Sequence, residues 1–453
     1  MDKTLSIKKM IMDEVIEFFK KPLIYVLIFC IFIQFKIYQT IPEYVITSDS
    51  HTYAEEYVES IFHGRVNAKR TPLYPYFIKL IAKIGGQENL YNNIVMIQKI
   101  LFIITLILFY YSLEKITKNK IITSVLTIIL GICPFVILWN IMILTEAISL
   151  FEIILLIFVT ILYLQNPKKF TAIFIGIIVL GMIMTRPSYI YILPIYLLFW
   201  ILRFIFNKNE KTILTGLTSC IIAGLIILGY CGLMKSQHGE FSITTISYIN
   251  NVITVIDSNS YKKANNTNII AEINEIKGDR KDEAICWAAF NAIKEKYSVD
   301  ELKELTRSSI KNDSNYIKYI VNKTINLGMC NIGTAGYVNN KEGYETINYA
   351  YIGNLLLPIN FAFVYIMLII AIIYLVYNLI RNARIDWIIA FFTILILANL
   401  FTLIVGAPFE SQRLFLSSII PILLLIGYVI SKGINNNENV KVIGKNKKGE
   451  YNG

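Results

Sequence analysis

The residues that could do chemistry are charged side chains standing beside long apolar runs. Asp49 comes first, just after the first such run. A carboxylate at a membrane boundary can act as a general base if it reaches the proton it abstracts. The same residue could instead cap the helix suggested by the TYAEE stretch behind it. His51 could order an acceptor or donate to a phosphate, and it could equally be an ordinary interfacial histidine. Asp49, His51 and Glu55 can be pictured as metal ligands, but their spacing matches no recognised metal motif. No cofactor is therefore expected, with a divalent metal as the weaker alternative. Arg70, Arg186 and Arg413 suit a phosphate, because guanidinium forks grip its oxygens in pairs. Each also has a plain use as a snorkelling anchor. Glu146, in LTEAISLFE, either complements a helix N-terminus or pairs with an arginine. Glu410 and Arg413, in PFESQRLF, have the i, i+3 spacing of a local ion pair.

The elements that must position these groups begin with the stretch Ser48 to Gly86. Thr52 and Glu55 form a T-x-x-E capping box, which predicts a helix starting there. Tyr53, Tyr57, Ile61 and Phe62 share one face of it, and Gly64 can end it. Pro72 and Pro75 suit the first turn of a second helix. Leu73, Tyr76, Phe77, Leu80, Ile81 and Ile84 line its apolar face, with Lys79 and Lys83 off it. Such a helix would lie in the headgroup layer without spanning.

The whole chain has 453 residues, 55% of them hydrophobic, and a mean hydropathy of +0.56. That is an all-α polytopic membrane protein by composition. About ten spans are expected: Pro22–Ile41, Tyr91–Leu113, Ile121–Trp139, Ala147–Leu164, Phe170–Met184, Tyr189–Phe206, Ile213–Met234, Tyr351–Leu379, Trp387–Val405 and Leu414–Ile430. The net charge of +11 sits on membrane-proximal loops, which argues against nucleic acid as the partner. With ten spans, the Lys/Arg clusters before the first, after the second, fourth, sixth and eighth, and in the tail share one side. The positive-inside rule makes that side cytoplasmic. Both termini then lie in the cytoplasm, and Asp49, His51, Arg70, Glu146, Arg186, Glu410 and Arg413 share the outer side. Charges gathered at one membrane boundary read as one outward-facing site.

Four segments follow. Residues 1–234 form a membrane domain whose first outer loop is 42–90. Residues 235–350 form a charge-balanced outer domain or loop, with a helix expected over Asp282–Tyr297 and a helical face over Tyr316–Ile325. Residues 351–431 hold the last spans, and 432–453 form a basic, disordered cytoplasmic tail. The Gly- and Asn-rich stretch Gly328–Gly343 reads as a mobile loop. The N-terminus shows no cleavable signal. Of six cysteines, Cys286 and Cys330 share the hydrophilic segment and could pair.

The order of these features resembles the GT-C class of membrane glycosyltransferases. They run from a first span and an outer Asp through R-T-P-L-Y-P, an amphipathic helix and L-T-E-A. T-R-P-S-Y and E-x-x-R before a last helix complete the order. Within that class it resembles bacterial enzymes grouped with the protein mannosyltransferase and aminoarabinose transferase families. The resemblance implies a polyprenyl-phosphate sugar donor, an extracytoplasmic glycan, lipid or protein acceptor, and inverting transfer at a bacterial plasma membrane. It implies Asp49 as the catalytic base and Arg70, Arg186 and Arg413 as donor-phosphate contacts. His51, Tyr74, Glu146 and Glu410 would shape the pocket. Thr71 departs from the motif's usual Pro, and Ser50 stands where a second acid is often found, which weakens the metal reading. The alternatives are a polysaccharide polymerase or ligase of another membrane class, which would put its key residues in later outer loops, and a lipid-linked-sugar flippase. A flippase would need ionisable groups near mid-membrane. Lys36, Lys99 and Glu152 are the exceptions to otherwise apolar helix interiors.

Overall fold

The computed structural model describes residues 21–39, 41, 43–54, 64–207, 210–278, 280, 282–329, 361–382, 385–406 and 415–433. The described residues are helical apart from turns, connecting stretches and one isolated β-bridge. Pro22 opens α1, Pro22–Tyr38, from its first turn, where its missing N–H costs nothing. α2 (Ser48–Ala54) and α3 (Leu73–Gly85) follow as short helices. α4, Leu90–Thr117, ends on Lys118 in the left-handed region at φ 54°. The Asn119 side chain then caps α5, Lys120–Gly131, by accepting from the amides of Ile121 and Ile122.

The third expected span differs from the structure. α5 stops at Gly131 and α6 restarts at Pro134, running only to Trp139. Proline lacks the amide to continue the ladder and clashes with the carbonyl of the preceding turn. Pro187 acts the same way between α8 (Lys169–Thr185) and α9 (Ile192–Phe206), where a 3-10 turn occupies Pro187–Tyr191. α7 spans Glu146–Gln165 and α10 spans Ile213–His238, running past the boundary expected at 234. Five helices among the described residues are long and apolar enough to cross a membrane: α4, α7, Pro187–Phe206, α10 and α18, Phe415–Gly433. Near the other expected spans stand the shorter apolar helices α1, α5 and α8, together with α16 (Phe361–Asn382) and α17 (Trp387–Gly406).

α7 is apolar nearly all round because it is covered nearly all round. It packs between α4 and α8, and its side chains from Ala147 to Tyr163 are mostly buried. Small residues set the closest crossings, as membrane packing favours. A Cβ on Gly176 of α8 would stand 2.8 Å from the backbone of Ser219 on α10. Gly176→Ala should therefore lower stability by about 1–3 kcal/mol through overpacking. Gly229, with nothing within 4 Å of such a Cβ, should tolerate alanine. Thermal unfolding of the two purified variants in detergent checks the contrast.

After α10 comes a second helical cluster with its own apolar core, including Val252, Ile256, Ile269, Ile273, Phe290 and Leu302. It is built from α11 (Ile246–Asp257), α12 (Thr267–Lys277), α13 (Glu283–Lys294) and α14 (Val299–Asn312), while α15 (Tyr316–Met329) packs against the helices Phe361–Asn382 and Trp387–Gly406. Asp282 caps α13, accepting from the Ile285 amide at 2.8 Å. Ser298 and Glu301 make a reciprocal capping box on α14. Cys286 is buried in this cluster's core. Its possible partner Cys330, the stretch 330–343 and the basic tail from 434 lie outside the described residues.

Candidate active site

The site is built where several helix ends meet. Thr47 accepts from the Ser50 amide, and the two hydroxyls lie 3.1 Å apart, so Thr47 caps α2. The helix thus starts four residues before the expected Thr52 cap, and Thr52 sits inside it, donating to the Asp49 carbonyl at 2.7 Å. Glu55, the expected partner in that capping box, lies outside the described residues. Asp49 is then a first-turn residue and not the cap. The reading of Asp49 as a capping residue is replaced by a specific contact: Arg70 Nη2 donates to Asp49 Oδ1 at 2.7 Å. Arg70 Nε donates to Thr52 Oγ1 at 2.6 Å and Nη1 to the Tyr53 hydroxyl at 3.3 Å. The guanidinium also lies over the Tyr53 ring, 4.3 Å from its centre. A third of the Asp49 side chain remains exposed.

A second arginine–carboxylate pair stands near the first. Glu146 is the first residue of α7, and its side chain is wholly buried against Arg186, with Arg186 Nη2 3.1 Å from Glu146 Oε1. Glu146 thus stands at a helix N-terminus and pairs with an arginine at once. Arg186 follows the last residue of α8 and is itself buried, and among the described residues its Nη1 has no hydrogen-bond partner. One hydrogen bond brings the two arginine segments together: Thr71 Oγ1 donates to the Thr185 carbonyl at 3.0 Å. Thr71 follows Arg70 and Thr185 precedes Arg186, so a contact across more than a hundred residues sets both arginines beside one junction.

Gln98 of α4 is the hub beneath. Fully buried, it donates from Nε2 to the carbonyls of Asn140 and Met142, each at 2.9 Å, and accepts from the Tyr74 hydroxyl at 3.1 Å. The loop it holds also forms the β-bridge: Val45 N–H reaches the Ile141 carbonyl at 2.9 Å and Ile143 N–H the Val45 carbonyl at 3.1 Å. The strand entering α2 and the loop entering α7 are thereby fixed to each other. Tyr74 packs edge-on against Tyr53. Burial first, and then Tyr53 and Glu146, push its phenol well above the ordinary range, so it stays a donor.

The amphipathic helix α3 has two apolar faces. Tyr74, Ile78 and Ile81 pack inward, while Leu73, Leu80 and Ile84 of the expected series are exposed beside Lys79 and Lys83. A helix lying at a lipid boundary needs both. His51 is exposed on α2. Arg413 and Glu410 lie outside the described residues. Just after them, Ser417 of α18 pairs its hydroxyl with that of Tyr189 at 2.8 Å, so α18 starts at the same end. Among the described residues no group of three His, Cys, Asp or Glu could hold a metal ion.

The far end of α10 and the residues after it clasp the chain leading to Arg70. Val66 N–H donates to Gln237 Oε1 at 3.0 Å, and His238 Nε2 lies 2.8 Å from the Val66 carbonyl. Thr244 Oγ1 donates to the Lys69 carbonyl at 2.7 Å, and Thr245 N–H to that of Ala68 at 2.9 Å. Basic residues collect at the other helix ends: Lys115 and Lys118 close α4, Lys168 and Lys169 open α8, and Lys211 precedes α10. There Arg203 pairs with Glu210, and Lys432 with Asp386.

A family model described as dolichyl-phosphate-mannose-protein mannosyltransferase matches residues 69–228. Over those residues the chain is similar to that mannosyltransferase family. The matched region takes in Arg70, Gln98, Glu146 and Arg186 and begins after Asp49. Two solved structures from Archaeoglobus fulgidus are similar. One is the archaeal oligosaccharyltransferase AglB in complex with an inhibitory peptide and a dolichol-phosphate, 14% identical, covering 93% of this chain and 52% of that one, with a TM-score of 0.47. The other is the apo oligosaccharyltransferase, 13% identical, covering 94% and 52%, with a TM-score of 0.49. The chain thus spans about half the length of these structures. No curated protein matches it.

Sequence reading missed Gln98, Thr185 and the loop at Asn140, and it noted Thr71 only as a departure from a motif. Only Gln98 carried a signal, as a neutral polar side chain in the middle of an apolar run.

Proposed function

We propose that the protein transfers a sugar from a polyprenyl-phosphate donor to an acceptor at the outer face of the membrane. The observation that carries this is the Thr71–Thr185 junction. It gathers an Asp49–Arg70 pair and a Glu146–Arg186 pair at one end of the helices, away from the end where the basic residues collect. By the positive-inside rule the site end is outside, which puts both termini in the cytoplasm and the second helical cluster, within the 235–350 segment, outside. A dolichyl-phosphate sugar in the matching family's description supports this donor class.

In this reading Asp49 takes the acceptor's proton as its oxygen attacks the anomeric carbon. The bond to the lipid phosphate breaks with inversion, and the phosphate leaves with the bonding electrons. The developing charge needs fixed donors. Arg70 has its Nε and both terminal nitrogens engaged by Asp49, Thr52 and Tyr53, so it aims the base. Arg186, whose Nη1 has no hydrogen-bond partner among the described residues, is better placed to meet a phosphate. Arg413 would join from the segment before α18. The exposed face of α3 keeps the site at headgroup depth.

Purified protein incubated with a panel of polyprenyl-phosphate sugars should consume one of them, with hydrolysis in the absence of acceptor. No consumption of any member would sink the reading. Topology has its own check. A cysteine introduced as Glu275→Cys, at an exposed position of α12, should react with an impermeant maleimide on intact cells. Labelling only after permeabilisation would reverse the orientation.

A further inference from the structure

Glu152 lies on α7, deeper than Glu146, and is 8% exposed. Its Oε1 is 2.6 Å from Thr185 Oγ1. That hydroxyl is also 3.0 Å from the Gly181 carbonyl, the usual back-bond of a helical threonine. A hydroxyl has one hydrogen, and a carbonyl can only accept. If Thr185 donates to Gly181, the hydrogen in the shorter contact must come from Glu152. The surroundings agree. Glu152 Oε2 is buried and has no hydrogen-bond partner among the described residues. Among the described residues no Lys or Arg is within ion-pair distance of it, Arg186 being paired with Glu146. An ionised carboxylate with one hydrogen bond and no counter-charge is strongly disfavoured there. A neutral acid is not.

We propose that Glu152 is held as a neutral carboxylic acid and acts as a positioning residue for both arginines. Its proton goes to Thr185 Oγ1, and the Thr185 hydroxyl turns to Gly181. The side chain of Thr185 is then locked between α7 and α8. Its carbonyl is fixed for Thr71, and the residues on either side of that junction are Arg70 and Arg186. The neutral acid is the first link of a chain that ends at the backbone of two cationic groups. The positioning role rests on the transfer reading above; the protonation state does not.

The test therefore has two arms. Infrared difference spectra of wild type minus Glu152→Gln at neutral pH should show the carbonyl stretch of a protonated acid. In a Thr185→Val background that band should move toward the position of an acid without a hydrogen-bond acceptor. A carboxylate pair of bands instead would overturn the protonation state, whatever the protein's activity. In the second arm, Glu152→Gln should keep transfer within a few-fold, since its amide N–H can replace the acid's donor. Glu152→Ala should lose at least tenfold, chiefly through weaker donor binding. Loss in Glu152→Gln as deep as in Glu152→Ala, or wild-type transfer by a folded Glu152→Ala, would overturn the positioning role. If wild type transfers no lipid-phosphate sugar at all, the transfer reading and the positioning role fall together, and the infrared arm still decides whether Glu152 is protonated.

Discussion

Asp49→Asn should lower sugar transfer by roughly 10²–10⁴-fold, the range a positioned general base supplies. The amide fills the same space, and its oxygen can still accept from Arg70 Nη2, as Asp49 Oδ1 does at 2.7 Å. Arg70 should then stay over Tyr53, donor affinity should change little, and protein level should hold. What the substitution removes is charge and basicity. A helix-capping explanation has its own control, because the cap of α2 is Thr47. Thr47→Ala should cost about 1 kcal/mol of local stability and leave most of the transfer rate. If well-expressed Asp49→Asn transfers like wild type, Asp49 is not the base, and the Asp49–Arg70 pair is architecture. If Thr47→Ala is as damaging to transfer as Asp49→Asn, the geometry of α2 is what matters and the base lies elsewhere.

The sequence revealed the groups with charge and the breaks made by proline. Asp49, Arg70, Glu146 and Arg186 stand out because an ion beside an apolar run is costly unless paired or used, and the structure brings them into two pairs at neighbouring places. The stop before Pro187 was legible for the same local reason, since a residue's lack of an amide does not depend on the fold. Pro134 carries that same signal, yet the apolar run through it hid a helix break between Gly131 and Pro134. The start of α2 went astray because two T-x-x-polar boxes stand only one residue apart. Thr47 with Ser50 won over Thr52 with Glu55, and the bridge at Val45 fixes the chain just ahead of that choice. Gln98, Thr71 and Thr185 could not be assigned from spacing at all. Their partners are carbonyls and hydroxyls far along the chain, brought near only when α3, α4, α7 and α8 pack. Helix α3 shows the limit of periodicity. Its i, i+3, i+4 series was real, but a second apolar stripe of Tyr74 and Ile78 lay beside it, and packing used that stripe together with Ile81.

Replacing Arg186 should have the largest effect on the fold. Arg186→Met removes the arginine partner of the Glu146 carboxylate, which has no exposed side-chain surface. Breaking a buried pair from one side costs about 3–5 kcal/mol, because the remaining charge is left uncompensated. That is enough to confuse lost stability with lost function, so the single variant cannot assign a role. The double replacement Arg186→Met with Glu146→Gln can, since it removes both charges together, and apolar or neutral substitutes for a buried pair are often well tolerated. Its melting temperature should return most of the way to wild type. Donor binding should not return. A lost guanidinium–phosphate contact is worth about 1.5–3 kcal/mol, so the affinity for a polyprenyl-phosphate sugar should fall roughly tenfold or more. The unpartnered Nη1 is the atom that predicts this, because the ion pair with Glu146 uses Nη2. A refolded double variant that binds donor like wild type would make Arg186 a structural anchor and leave the phosphate to the segment of Arg413.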